Sequence, residues 1–285
     1  MRIARLMGLE PDEQCEACHG SLDPGAPADY RELATLLVRE WSKAVPRRVG
    51  LAGGQGAGKS TLARLIEAAG EHYGLAILCL SLDDFYRSKA DRQDLAREVH
   101  PLFETRGPPG THEIATCRRV MAAALSDRAL SIPRFDKGRD DRAPSENRRG
   151  PFDIVVLEGW CVGARAVPES ALLDPVNALE AEEDPDGVWR RAVNRVLAQD
   201  YEPLWDELDQ LVFLAVPSLD SVRAWRARQE EERQAHERMS SAEVDRFVAH
   251  YERITRRMSR DLASRADWTI ELDPSHAIAG CTRRR

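Results

Sequence analysis

The residues Gly53-Gly54-Gln55-Gly56-Ala57-Gly58-Lys59-Ser60 follow the pattern G-x-x-x-x-G-K-[ST]. Small residues let backbone N–H groups curl around phosphate oxygens, a lysine adds a point charge, and a hydroxyl offers an oxygen to a divalent cation. The spacing assigns Gly53, Gly54, Gln55, Gly56, Ala57, Gly58, Lys59, Ser60 and the adjacent Thr61 to a nucleotide's phosphates, with Lys59 at the β and γ phosphates and Ser60 at Mg²⁺. Phosphoryl transfer also needs a carboxylate near the metal. Glu158, directly after the apolar run Ile154 to Leu157, is the candidate, although a glutamate there could instead cap a turn or face solvent. A second apolar run ends in Ser81-Leu82-Asp83-Asp84-Phe85-Tyr86 and offers a base for an acceptor hydroxyl.

These groups need elements to hold them. Arg48 to Ala52 reads as a short buried strand and Lys59 to His72 as a helix with Leu62, Leu65, Ile66 and Ala69 on one face, so the glycine-rich stretch lies between strand and helix. Further continuous apolar runs at Ala76 to Leu82, Ile154 to Leu157, Leu211 to Val216 and Trp268 to Leu272 predict strands buried on both faces. Helical stretches are predicted over 111–127, 187–199, 219–238 and 241–260, and strand alternating with helix implies a mostly parallel sheet with helices on both faces. In open sheets of this kind ligands sit beyond the strand ends. Leu33, Leu36, Leu37, Trp41 and Ala44 predict an amphipathic helix over Tyr30 to Lys43, ending before Pro46. Residues 1–29, rich in Pro, Gly and acid, read as an irregular lead-in, and the charged segment 133–151 as a candidate active-site loop.

Composition narrows the partners. The chain has 285 residues, 42% of them hydrophobic, and 41 Lys+Arg against 48 Asp+Glu for a net charge of −7. That balance suits a globular protein and argues against a nucleic-acid or anionic-membrane partner, while leaving room for a small anionic ligand. No apolar run approaches the roughly 20 residues of a membrane helix, and the N-terminus lacks the apolar stretch of a signal peptide, so a cytoplasmic address is expected. Cys15-Glu16-Ala17-Cys18-His19 has the C-x-x-C-H form of a haem attachment site or half a zinc site; without an export signal or a second C-x-x-C, two ordinary reduced thiols are expected.

A guanine-reading N-K-x-D motif and an LSGGQ signature are both lacking, which leaves transfer to a small acceptor. The phosphate loop, then Leu80-Ser81-Leu82-Asp83-Asp84-Phe85-Tyr86, then Glu158-Gly159-Trp160 resembles the uridine kinase, phosphoribulokinase and pantothenate kinase superfamily. Arg106-Gly107-Pro108-Pro109-Gly110-Thr111-His112-Glu113, Pro133-Arg134-Phe135-Asp136-Lys137, Asp141-Arg142-Ala143-Pro144, Glu158 to Gly163, Trp225-Arg226 and Glu243 to Val248 before Tyr251 resemble more narrowly the D-glycerate 3-kinase family, over about residues 48–273. The chain departs from that family's pattern at Glu113, where Asp is frequent, in the Gly138 to Arg142 stretch, and near Ser145 to Arg149, where a tryptophan is missing. All three departures fall on the acceptor side.

The resemblance implies the P-loop NTPase kinase fold, α/β with a mostly parallel central sheet, helices on both faces and a helical lid, preceded by an N-terminal extension over 1–45 and followed by a tail over 276–285. It implies ATP and Mg²⁺ as cofactors, Asp83 as catalytic base and metal-side carboxylate, and an arginine-bearing lid over Ser218 to Met239 with Arg226 as the catalytic cation, beside Arg223 and Arg228. Asp83 could alternatively cap the next helix, and the lid segment could be a solvated helix. Glycerate carries a carboxylate and two hydroxyls; Arg106, Arg134 and Lys137 are candidates for the first, and Tyr86, His112, Asp84 and Asp136 complete the acceptor set. The expected partner is thus a glycerate-like small molecule, with pantothenate, uridine or a phosphoribulose as other possible acceptors and a non-catalytic nucleotide-binding protein as the alternative outside enzymes. Oligomeric state is left open.

Overall fold

The computed structural model describes residues 1–231 and 239–284. A six-stranded sheet forms its centre, built from β1 (Arg48–Gly53), β2 (Ile77–Ser81), β5 (Ile154–Gly159), β6 (Gln210–Ala215), β7 (Trp268–Leu272) and β8 (Ile278–Arg283), while β3 (Ala129–Asp136) and β4 (Asp141–Arg149) form a separate hairpin. The helices in chain order are α1 (Arg2–Met7), α2 (Glu13–Ser21), α3 (Ala28–Lys43), α4 (Lys59–His72), α5 (Lys89–Glu98), α6 (Ile114–Ala124), α7 (Ala178–Glu183), α8 (Val188–Val196), α9 (Glu202–Trp205), α10 (Leu219–Glu231) and α11 (Ser241–Asp261).

Strand order is β2-β5-β1-β6-β7-β8, parallel except for β8 at the edge. Side chains alternate between two cores, as the strand period of two requires. Val49, Leu51, Val156, Val212 and Leu214 pack on one side with Leu33, Leu36, Leu37 and Trp41 of α3 and Leu62, Leu65 and Ile66 of α4. Ala52, Val155, Leu157 and Phe213 pack on the other with Cys117, Val120 and Met121 of α6 and with Tyr201, Tyr251 and Met258. β1 lies between β5 and β6, with Leu51 opposite Glu158, while Ser81 of β2 also pairs in register with Glu158. The loop after β1 and the ends of β2 and β5 therefore converge.

The expected strands and the four helical stretches are found, with shifted ends. Three expectations are corrected. The lead-in is not irregular: Ile3, Ala4 and Met7 of α1, Cys15 and Cys18 of α2, and Leu22 are buried in the α3 core, and Glu32 of α3 accepts from the Ala4 N–H at 2.8 Å. Helices this short show too few turns for their period to stand out. Segment 133–151 is mostly hairpin, not loop. β4 carries Asp, Arg, Pro, Ser, Glu and Asn without an apolar face, and pairing with β3 makes it a strand. The last ten residues hold β8, whose Ile278 is fully buried. The two expected ordinary thiols are core groups, Cys15 accepting from Tyr73 Oη at 3.4 Å and Cys18 from Thr35 Oγ1 at 3.6 Å. Among the described residues, no helix is long and apolar enough to cross a membrane.

Two buried histidines contribute to the acid response. Burial first, only partly opposed by Asp83, holds the His112 imidazolium down to about 4, and burial likewise brings His250 to about 4. Between pH 6.5 and about 4 the unfolded chain binds protons there that the folded chain refuses, so stability is full above pH 6.5 and falls as pH drops. The expected slope is at most about 1.4 kcal/mol per pH unit for each histidine. Urea unfolding from pH 5 to 7 measures it; His250→Gln should flatten the slope by about one proton, and an unchanged slope in that variant would contradict the assignment.

Candidate active site

Gly56 (φ 75°) and Gly58 (φ 77°) sit in the left-handed region that admits glycine easily, and they curl the loop back on itself before α4 starts at Lys59. Ala57 N–H closes the turn on Gly54 O at 3.2 Å, and Lys59 Nζ donates to the same carbonyl at 2.9 Å. A cleft of about 390 Å³ opens here, lined by Gln55, Gly56, Gly58, Lys59, Ser60 and Thr61, and faced by Asp83, Lys137, Glu158 and Arg226. Gly53, Gly54 and Ala57 form the loop's back rather than its lining. Burial pushes the Lys59 ammonium below its ordinary value, with Glu158 and Asp83 pulling the other way.

Ser60 Oγ donates to Glu158 Oε1 at 2.8 Å, and Asp83 faces the same space. These are hard oxygen donors of the kind Mg²⁺ takes. Among the described residues no cluster of three or more His, Cys, Asp or Glu is arranged to hold an ion alone. A sparse protein donor set still fits Mg²⁺, which keeps water and binds phosphate oxygens alongside one or two carboxylates.

The β2 end sends its two carboxylates in different directions. Asp83 Oδ1 accepts from Tyr86 Oη at 2.8 Å and Oδ2 from Lys137 Nζ at 2.6 Å. Burial alone would raise this carboxyl, but the Lys137 charge and the hydrogen bonds from Lys137 and Tyr86 outweigh it and hold the group at about 2. Asp84 instead turns to the hairpin, pairing with Arg134 at 2.6 Å and accepting from Phe135 N–H at 3.3 Å. Arg134 also pairs with Glu146, and Asp136 caps the hairpin turn through Gly138 and Arg139 N–H groups. Asp84, Arg134 and Asp136, expected at the acceptor, thus tie the hairpin to the sheet and do not line the cleft. Both sit in the single 3₁₀ turn Leu82–Phe85 that follows β2, where successive side chains point in different directions, and Asp83 is the one that faces the cleft.

Arg106 lines the cleft and pairs with Asp140 at the hairpin tip, which also holds the fully buried Arg92 of α5 at 2.8 Å. His112 stands behind the cleft. Its segment pairs with residues 85–87, which stacks the ring on Tyr86 at 4.6 Å, and Nδ1 meets Tyr201 Oη at 2.7 Å. Of the arginines expected on the lid, Arg226 lines the cleft with its guanidinium carbon 4.9 Å from the Phe247 ring centre; Arg223 pairs with Asp220 and Glu252, and Arg228 is exposed. The expected lid continues through residues 232–238, which lie outside the described residues.

Sequence reasoning missed the residues that hold the 106–112 loop: Tyr251 Oη donates to Arg106 O at 2.8 Å, Trp160 Nε1 to Gly107 O at 3.1 Å, and Gly110 N–H to Tyr201 Oη at 3.0 Å. Trp160 and Tyr251 stand inside quoted motifs, which was their only signal. Tyr201, Arg92 and Asp140 had none beyond their type.

No protein-family model matches the chain. An uncharacterised kinase of Schizosaccharomyces pombe is 35% identical over 222 residues, 72% of this chain and 78% of the relative. The chloroplastic D-glycerate 3-kinase of Arabidopsis thaliana is 28% identical over 225 residues, 72% of this chain but 46% of that enzyme. The chain belongs to the kinase family of the Schizosaccharomyces pombe relative. A solved structure of the D-glycerate 3-kinase of Cryptococcus neoformans var. grubii shares the fold, with a TM-score of 0.70 at 23% identity, covering 99% of this chain and 98% of that one. The chain is a kinase, and its α/β sheet is the scaffold that the sequence pattern implied.

In this kinase the 106–112 loop tolerates no side chain at its first glycine. Gly107 has φ 119°, and a Cβ there would stand 2.0 Å from Tyr251 Oη. Gly107→Ala is expected to cost about 3 kcal/mol or more, through strain and loss of the Tyr251 to Arg106 bond. Thermal unfolding should show a drop of about 6 °C or more; a melting temperature within 1 °C of wild type would count against this placement.

Proposed function

We propose that the kinase transfers the γ-phosphate of ATP to the C3 hydroxyl of D-glycerate, giving 3-phosphoglycerate. The observation that carries this reading is one cleft lined by a phosphate loop, by Asp83 just after β2, and by two cations from outside the loop, Arg106 and Lys137. The named Arabidopsis relative supports the acceptor. Arg106 presents a planar fork suited to a carboxylate, and Lys137 a compact charge.

The roles follow from position. Glycine-loop N–H groups and Lys59 would bind the β and γ phosphates; Ser60 and Glu158, with Asp83 close by, would hold Mg²⁺. When bound, Mg²⁺ neutralises charge on the phosphate oxygens. Asp83 accepts the proton of the attacking hydroxyl, and Tyr86 keeps its carboxylate oriented. Lys137 has a second task. As the acceptor's carboxylate draws it away, burial remains to raise the Asp83 carboxyl and so strengthen it as a base. Arg226, on α10, meets the charge that spreads over the moving phosphoryl group and helps exclude water. His112 acts through Tyr86 rather than on the substrate.

Mass analysis of the product from Mg·ATP with D-glycerate, pantothenate, uridine or ribulose 5-phosphate tests the acceptor; phosphate on D-glycerate is expected, and its absence refutes the acceptor. Asp83→Asn should lower kcat about 10²- to 10⁴-fold with ATP binding retained, the range expected for loss of a general base. Lys137→Met removes the largest group holding Asp83 down, so the acid limb of the kcat/KM profile should move to higher pH. A limb that stays in place would exclude Lys137 as the group tuning Asp83.

A further inference from the structure

The carbonyl groups of the phosphate loop are held from behind by residues at the two ends of the chain. Tyr30, in the first turn of α3, is 3% exposed, and its Oη donates to Ala57 O at 2.8 Å. Its ring leaves no room beyond Gly58, where a Cβ would stand 2.7 Å from the Tyr30 ring. His276, in the turn from β7 to β8, places Nε2 3.0 Å from Gly56 O. That turn is preset. Asp273 Oδ1 accepts from Ser275 N–H at 2.7 Å and Ala277 N–H at 3.0 Å, and His276 takes φ 70°. Trp225 of α10 then stacks on the imidazole, with centroids 3.9 Å apart, and anchors itself by Nε1 to Pro274 O at 3.0 Å.

In a trans peptide the C=O and the following N–H point in opposite directions. Holding Ala57 O on Tyr30 therefore turns the Gly58 N–H to the other side of the loop, toward the cleft that Gly58 lines. Holding Gly56 O on His276 fixes the plane whose N–H, on Ala57, closes the loop on Gly54 O. We propose that Tyr30 and His276 are positioning residues for nucleotide binding: they hold the peptide planes of the phosphate loop in the orientation that phosphate requires. Neither belongs to the loop motif, and both lie outside the strand–loop–helix unit that carries it. The proposal rests on the reading of the loop as the ATP site.

The test uses the full chain and equilibrium titration with Mg·ATP, so its outcome does not depend on which acceptor is used. Tyr30→Phe removes one hydroxyl and keeps the ring; His276→Asn keeps a residue that tolerates positive φ but cannot reach Gly56 O. Each should raise the Kd for ATP about 5- to 10-fold, the effect of one well-placed hydrogen bond, while melting only a few degrees lower. Titration well below the melting temperature leaves no unfolded chain to affect the Kd, so a merely structural role would not move it. A Kd within twofold of wild type in both variants overturns the proposal. A wild-type chain that bound no ATP would overturn the kinase reading and this inference with it, whereas ATP binding without turnover of D-glycerate would remove only the acceptor.

Discussion

A loop that gathers several N–H groups toward one point must push its carbonyls the other way, and buried carbonyls need donors. The rest of this structure depends on meeting that demand. Gly54 O takes the Ala57 N–H and the Lys59 ammonium, Gly56 O meets His276, and Ala57 O meets Tyr30. The donors come from inside the loop, from β7–β8 and from α3, so the loop's conformation is a property of the whole sheet side rather than of eight residues. β1, central in the sheet and buried from Val49 to Gly53, supplies the fixed end from which the loop departs.

A second demand sits across the cleft. Asp83 must remain ionised although its surroundings favour the neutral acid, and Lys137 and Tyr86 supply the compensation. Lys137 arrives on the β3–β4 hairpin, so the hairpin must be anchored for the charge to be in place. The Asp84–Arg134 pair and the Asp140 junction with Arg92 and Arg106 do this. Arg92 is the costly member: a fully buried guanidinium is tolerated because Asp140 offers both its carboxylate and its carbonyl. Residues that look like substrate ligands in the sequence are in part the fastening of one that faces the cleft.

The five parallel strands were legible because they read as short apolar runs, whereas the half-exposed edge strand β8 was not; the phosphate loop was legible because its chemistry allows few residue types. Glu158 and Asp83 were found from their positions at strand ends. What could not be read depended on pairing or on distance. β4 has no apolar period, so nothing but its neighbour makes it a strand. Asp83 and Asp84 are identical in type and adjacent, and only the backbone at the β2 end decides which one faces the cleft. Arg134 and Lys137 are three residues apart on one hairpin, yet one pairs with Asp84 and the other with Asp83. A charge count in a loop cannot separate them.

The chain termini carry the same lesson further. The family resemblance places a boundary near residue 46, and the first 29 residues before it are rich in Pro, Gly and acid. Packing draws no line there: Ile3, Cys15, Leu33, Val49, Val212, Ile270 and Ile278 share one core. A boundary in sequence pattern marks where the period of burial changes, and short helices with three buried residues have little period to show. The contact that matters for chemistry, Tyr30 on Ala57 O, spans 27 residues and crosses that apparent boundary. Removing the segment before residue 46 would therefore take away a donor to the phosphate loop together with the apolar cover of α4, and the two losses fall on the same element because α4 begins where the loop ends.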